Sequence, residues 1–140
     1  MKEARSDAAP APVGPYSQAV EHDGWIFASG QIPLDPVSSE LVGGEIEDQA
    51  RQVLANLRAV LEAAGAELQD VVRTTIYLTD LNHFPRVNAV YAEHFTGAPR
   101  PARATVQVAA LPLGAAVEID AIAVRRPARS TARGSAGSPR

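Results

Sequence analysis

Val117-Glu118-Ile119-Asp120-Ala121-Ile122-Ala123-Val124 decides how this chain folds. Side chains alternate between the two faces of a strand, so Val117, Ile119, Ala121 and Ala123 share one face. Glu118, Asp120, Ile122 and Val124 share the other. The preceding segment, Pro101-Ala102-Arg103-Ala104-Thr105-Val106, continues the pattern. There Ala102, Ala104, Val106 and Val108 fall on one face, and Arg103, Thr105 and Gln107 on the other. Residues 102–108 read as a buried strand with an arginine inside it. A guanidinium goes inside only where an anion meets it. Glu118, Asp120 or a ligand carboxylate can supply that charge, and the pattern alone leaves all three open.

The other elements follow from periodicity and turn chemistry. Residues 17–22 and 25–29 are strands flanking Asp23-Gly24, a dipeptide suited to a two-residue hairpin turn. Residues 32–44, with two prolines and two glycines, form a loop. From residue 46 to 64, Ala50, Val53, Leu54, Leu57, Val60, Leu61 and Ala64 keep helical spacing, and Gly65 ends the helix. Residues 71–78 are a β-branched strand carrying Thr74 and Thr75. Asn82 is placed to cap a second helix running to about Phe95, with Pro85 in its first turn. The order ββ-α-β-α-ββ predicts an α+β fold with both helices on one face of a mostly antiparallel or mixed sheet. The other sheet face then needs cover, which predicts association between subunits.

Composition sets the bounds. A chain of 140 residues with 46% hydrophobic and 21% charged content fits one globular domain. No cysteine is present, which removes disulfides, thiolate nucleophiles and thiolate metal sites. His22, His83 and His94 are scattered without metal-ligand spacing, and no phosphate-binding glycine loop occurs, so no cofactor and no metal are expected. With neither a secretory signal nor a bilayer-length apolar run, the expected location is cytoplasmic. Residues 1–12, rich in Ala and Pro, are expected to be a flexible segment, residues 13–126 the domain, and residues 127–140 a disordered tail. Five of the 13 basic residues fall in the last sixteen positions, which hold no acid. The body before them is therefore acidic and repels nucleic-acid phosphates.

Seven blocks in register carry a family resemblance. They are Gly14-Pro15-Tyr16-Ser17-Gln18-Ala19, the run from Ala28-Ser29-Gly30-Gln31 to Pro36, Gln49 to Leu57, Val71 to Asp80, Val87-Asn88-Ala89-Val90-Tyr91, Pro101-Ala102-Arg103 and Val117 to Ala123. In order and spacing the chain resembles the RidA (YjgF) family from about Ala11 to Arg126. The resemblance implies a chorismate-mutase-like α+β fold assembled as a homotrimer, with clefts between subunits. It implies hydrolytic deamination of reactive 2-imino acids (2-iminobutanoate, 2-iminopropanoate) to 2-oxo acids and ammonia, without a cofactor. On the matching positions, Arg103 would hold the substrate carboxylate and Glu118 would manage water or the imine proton. Tyr16 would hydrogen-bond substrate or water, Ser29, Gly30 and Thr105 would line the pocket, and Asn88 would face the cleft. Each position also has a packing explanation: Tyr16 beside Pro15, Ser29-Gly30 as a strand end, Asn88 as a satisfied buried amide, Asp120 as a structural acid. Thr105 departs from members that carry cysteine there. Rival expectations are a relative that binds small carboxylates or processes another imine, and an RNA- or protein-interacting module of translation-inhibitor or chaperone-like kind.

Overall fold

In the computed structural model, which describes residues 1–126, the chain runs through strands β1 (Lys2–Ala4), β2 (Ala19–His22) and β3 (Trp25–Gln31) and helix α1 (Ile46–Ala63). Strand β4 (Val71–Leu78), helix α2 (Phe84–His94) and strands β5 (Ala102–Gln107) and β6 (Val117–Val124) complete it. The tail expected over residues 127–140 lies outside the described residues. The strands form one sheet in the order β1-β2-β3-β6-β4-β5. β4 and β5 run parallel, joined by the α2 crossover that a parallel pair requires, and the other neighbouring strands are antiparallel.

β6 lies within the sheet between β3 and β4, and its alternation sorts the whole molecule. Val117, Ile119, Ala121 and Ala123 are buried beneath the helices, together with Ile26 and Ala28 of β3 and Thr74, Ile76 and Leu78 of β4. α1 lays Ala50, Val53, Leu54, Leu57, Val60 and Leu61 onto this layer, each fully buried. Such a leucine contributes about 1.5–3 kcal/mol. Thr74 is the polar member of the layer, and its hydroxyl meets the Tyr91 hydroxyl at 2.8 Å. The opposite face bears Trp25 and Phe27 of β3 and Val106 of β5, all substantially exposed, beside Ile122 and Val124.

The helix starts follow local chemistry. At α1 the Glu45 N–H donates to the Asp48 carboxylate at 3.0 Å. The second helix differs from the expected cap. Asp80, not Asn82, accepts from the backbone, taking the Asn82 N–H at 2.9 Å, and a 3-10 turn at Leu81–His83 precedes α2. Arg86 then joins the two helix starts through Glu45 and Glu47, and this pairing holds the Glu47 carboxyl below its usual range. The hairpin turn is as expected, with Asp23 and Gly24 both at positive φ (53° and 84°).

Two expectations need correction. Residues 1–12 are not loose: β1 pairs with β2, and Ala4 and Ala9 enter the core. The cause is Gln18, which is 2% exposed. Its amide oxygen accepts from the Ser6 N–H at 2.7 Å, and its NH2 donates to the carbonyls of Ser6 and Pro10. Residues 102–107 are not a buried strand either. β5 is the sheet edge with β4 as its neighbour, and Ala102, Arg103, Val106 and Gln107 are exposed. Alternation reports which residues share a face but not whether another strand covers the far edge.

Gln18→Ala tests the first correction. It leaves buried backbone groups unpaired, which costs about 1–3 kcal/mol. Urea unfolding should read that loss, and limited proteolysis should show new cleavage within residues 1–12. An unchanged midpoint with an intact N-terminus would remove Gln18 as the anchor.

Candidate functional site

Parallel pairing sets Arg103 opposite Thr74 and Thr105 opposite Ile76. Because Thr74 and Ile76 point toward the helices, Arg103 and Thr105 do too. Glu118, on β6, lies on the other face, in register with Tyr77 of β4. The candidate residues therefore fall into two groups separated by the thickness of the sheet. Arg103 is paired with neither Glu118 nor Asp120. Among the described residues no carboxylate comes within 4.0 Å of it. Of the alternatives that the sequence leaves open for Arg103, the facing of the sheet removes pairing with Glu118 or Asp120 of the same chain.

What holds Arg103 is α2. Its Nη1 donates to the Asn88 side-chain oxygen at 2.7 Å. Its guanidinium carbon lies 4.9 Å from the Tyr91 ring centre and 5.3 Å from that of Phe84. Cation–π contacts of this kind fix a guanidinium without neutralising it. Tyr91 is itself fixed by stacking on Phe95, with ring centres 4.4 Å apart, and by the Thr74 bond. Burial pushes the Tyr91 phenol up, opposed by the Thr74 hydrogen bond and the Arg103 charge. Asn88 is therefore the positioning partner of Arg103 rather than a separately satisfied amide. Together with Tyr91, Phe95 and Arg100, these residues line a cavity of about 440 Å³. Thr105 lines neither this cavity nor the one below.

The second group forms where β3 breaks register. Ser29 and Gly30 oppose the single residue Asp120, a β-bulge between Ala28 and Gln31. Tyr16, Ser29, Gly30 and Glu118 border a cavity of about 410 Å³ with apolar walls that include Val13 and Leu113. Ser29 commits its hydroxyl proton to the Ser17 carbonyl at 2.6 Å and its N–H to the Gln18 carbonyl at 2.9 Å. It shapes the rim from within its own backbone. Tyr16 is half exposed at the mouth, so packing against Pro15 does not bury it.

Gly30 does more than present its backbone. A Cβ built on it collides with Glu118 Oε2 and lies 2.8 Å from Glu118 Cδ. Only glycine lets the carboxyl lie against the bulge. Glu118 is half-buried, and burial, followed by the Asp120 charge, raises its pKa above the ordinary 4.5. Asp120 is held by the Tyr77 hydroxyl, which donates to it at 3.0 Å. Sequence reasoning missed the cradle role of Gly30 and the presence of Arg100 in the Arg103 cavity. The role of Gly30 rests on a three-dimensional distance. Arg100, beside Pro101, has the sequence context of a solvated loop cation.

The Endoribonuclease L-PSP family model matches residues 6–125. The DfrA protein of Myxococcus xanthus is 60% identical over 125 residues, covering 88% of this chain and 95% of that one. The mouse protein named 2-iminobutanoate/2-iminopropanoate deaminase is 53% identical over 119 residues, covering 85% of this chain and 87% of its own. The crystal structure of Escherichia coli TdcF with bound serine superposes with a TM-score of 0.85 at 41% identity, covering 90% of this chain and all of that one.

The raised pKa has a sign that can be tested. The folded state disfavours ionised Glu118, so this group contributes no penalty below the ordinary carboxyl pKa of 4.5. The penalty grows as pH rises from there through the raised folded value and is constant above it. Glu118→Gln should raise the melting temperature at neutral pH, with the difference shrinking to nothing in acid at matched protein concentration. A variant that melts lower at pH 7 would contradict the desolvated carboxyl. Gly30→Ala should displace the Glu118 carboxyl from the bulge with little loss of stability, because the atoms its Cβ would meet end a flexible side chain beside a cavity, and urea unfolding reads this directly.

Proposed function

The chain belongs to the Endoribonuclease L-PSP family, the YjgF/RidA family, and on that footing we propose that it hydrolyses 2-imino acids to 2-oxo acids and ammonia in the cytoplasm. The observation that carries the proposal is Arg103: a guanidinium at a cavity, held by Asn88 and two aromatic rings, with no carboxylate beside it among the described residues. A 2-imino acid brings the missing carboxylate. The planar guanidinium can take it through two parallel hydrogen bonds.

Glu118 serves the other end of the substrate. A carboxyl with a raised pKa keeps a protonated fraction and can both give and receive a proton. Glu118 protonates the imine nitrogen as water adds through oxygen to the imine carbon, the C=N π pair moving to nitrogen. It then takes the proton lost by the added water. In the next half of the reaction it protonates the amine, the C–N bond breaks, and the hydroxyl proton returns to Glu118 as the 2-oxo acid forms. Tyr16, at the mouth, hydrogen-bonds the incoming water. Ser29 and Gly30 shape the cradle, and Thr105 supports the strand that carries Arg103.

Arg103 and Glu118 lie on opposite faces of one sheet, so we infer that a working site joins the Arg103 group of one subunit to the Glu118 group of another. The exposed apolar face with Trp25, Phe27 and Val106 is the surface that association would cover. A cyclic trimer joins three such pairs of half-sites with no half left over.

Two measurements test this reading. Threonine dehydratase acting on threonine generates 2-iminobutanoate, and semicarbazide traps what is not hydrolysed. The protein should lower the semicarbazone yield. Arg103→Lys keeps the charge but loses the fork, a loss of about 1.5–3 kcal/mol or about ten- to a hundredfold in kcat/KM. Arg103→Ala and Glu118→Gln should each be inactive alone. Co-assembled in equal amounts they should recover about a quarter of wild-type activity, the statistical share of sites that receive both intact halves in a cyclic assembly. Complete inactivity of the mixture would place the site within one chain.

A further inference from the structure

We propose that Arg100 sets substrate preference, and that the Arg103 cavity favours 2-imino acids carrying an additional carboxylate. The proposal rests on the reading of Arg103 as a carboxylate clamp and extends it to the identity of the side chain. Arg100 and Arg103 line the same cavity with Asn88, Tyr91, Ala92 and Phe95, and among the described residues no acid borders it. Before position 125 acidic residues outnumber basic ones sixteen to eight. Arg51, Arg86, Arg125 and Arg126 each meet a carboxylate within 4.0 Å. Among the described residues Arg5, Arg58, Arg73, Arg100 and Arg103 meet none, and of these Arg100 and Arg103 share one cavity.

Arg100 is anchored without being neutralised. Its Nε donates to the Phe95 carbonyl at 3.2 Å, which fixes the base of the guanidinium. Among the described hydrogen bonds its two terminal nitrogens have no other partner. Arg103 likewise spends one N–H on Asn88. Three residues of extended chain separate the two α-carbons by at most about 10 Å, and both side chains are long, so one small molecule can reach both guanidiniums. A monocarboxylate leaves one of two neighbouring like charges uncompensated, whereas a four- or five-carbon dicarboxylate compensates both. The dianion is therefore the better match, by a Coulomb term that solvent weakens but does not remove at contact distance.

The test compares imines formed by amino-acid oxidases from aspartate and from alanine, with semicarbazide as trap. Wild-type protein should hydrolyse the dicarboxylate imine with the higher kcat/KM. Arg100→Gln should lower that value about tenfold, equivalent to about 1.4 kcal/mol, while the alanine-derived imine changes by no more than about twofold. Arg100→Lys should retain most of the preference. Equal loss on both substrates, or no loss on either, would overturn the role of Arg100. Calorimetric binding of 2-oxoglutarate and 2-oxobutanoate gives a readout independent of turnover. Tighter binding of 2-oxoglutarate that Arg100→Gln abolishes supports the proposal even if no imine is hydrolysed, in which case the hydrolytic reading alone fails. Hydrolysis without any dicarboxylate preference, and equal binding of the two oxo acids, leaves the hydrolytic reading standing and removes this one.

Discussion

A single layer of sheet separates Arg103 from Glu118. Strand geometry allows a side chain one face or the other, and hydrogen-bond register passes that choice from strand to strand. Thr74 must face the helices, because its hydroxyl bonds Tyr91 in the core, so Arg103 opposite it must face them as well. Ile119 must face the helices because it is fully buried, so Glu118 must not. The two residues on which the proposed reaction depends are thus placed apart by the same packing that makes the fold stable. Moving Glu118 to the other face would take a one-residue slip of β6, which would put the core residues of that strand into solvent.

Each group is then finished by a small local device. On the helix side, Asn88 lies four residues after Phe84 and three before Tyr91, so α2 presents all three along one side to the guanidinium. On the open side, the bulge at Ser29-Gly30 and the missing side chain of Gly30 bring the backbone against the Glu118 carboxyl. Tyr77 binds Asp120 and so keeps the other acid of that face beside Glu118.

The sequence made the helices and the inner strands legible because their periodicity runs over many residues. Residues 50–64 repeat the helical spacing, and residues 117–124 alternate without a break. It did not reveal β1, since three residues, Lys2-Glu3-Ala4, hold no period, and their order depends on the distant amide of Gln18. Nor did it distinguish an edge strand from an inner one, because alternation on β5 is the same in both places. The candidate residues were found by motif register, and their facing could be read strand by strand. Their separation could not, because it depends on the pairing of β4 with both β5 and β6. Arg100 was hidden for another reason. A cation in a proline- and glycine-rich loop reads as solvated until the opposite wall of its cavity, Tyr91 and Phe95, is known.

The open apolar face and the acidity of Glu118 are physically coupled. In the isolated chain Glu118 is half in water, and its pKa is already raised by burial and by Asp120. Covering Trp25, Phe27 and Val106 by association removes water from the same face and disfavours the ionised carboxyl further. An arginine brought across that interface acts in the opposite direction. In the assembly proposed above, the pKa at which Glu118 exchanges its proton is a property of the joined site, set by the balance between lost solvation and the incoming charge of Arg103. On the proposed reaction, an imino-acid carboxylate that neutralises Arg103 shifts this balance back toward the protonated acid, the form that can donate to an imine nitrogen. In that reading, binding of the anion and readiness of the proton donor are linked through one guanidinium.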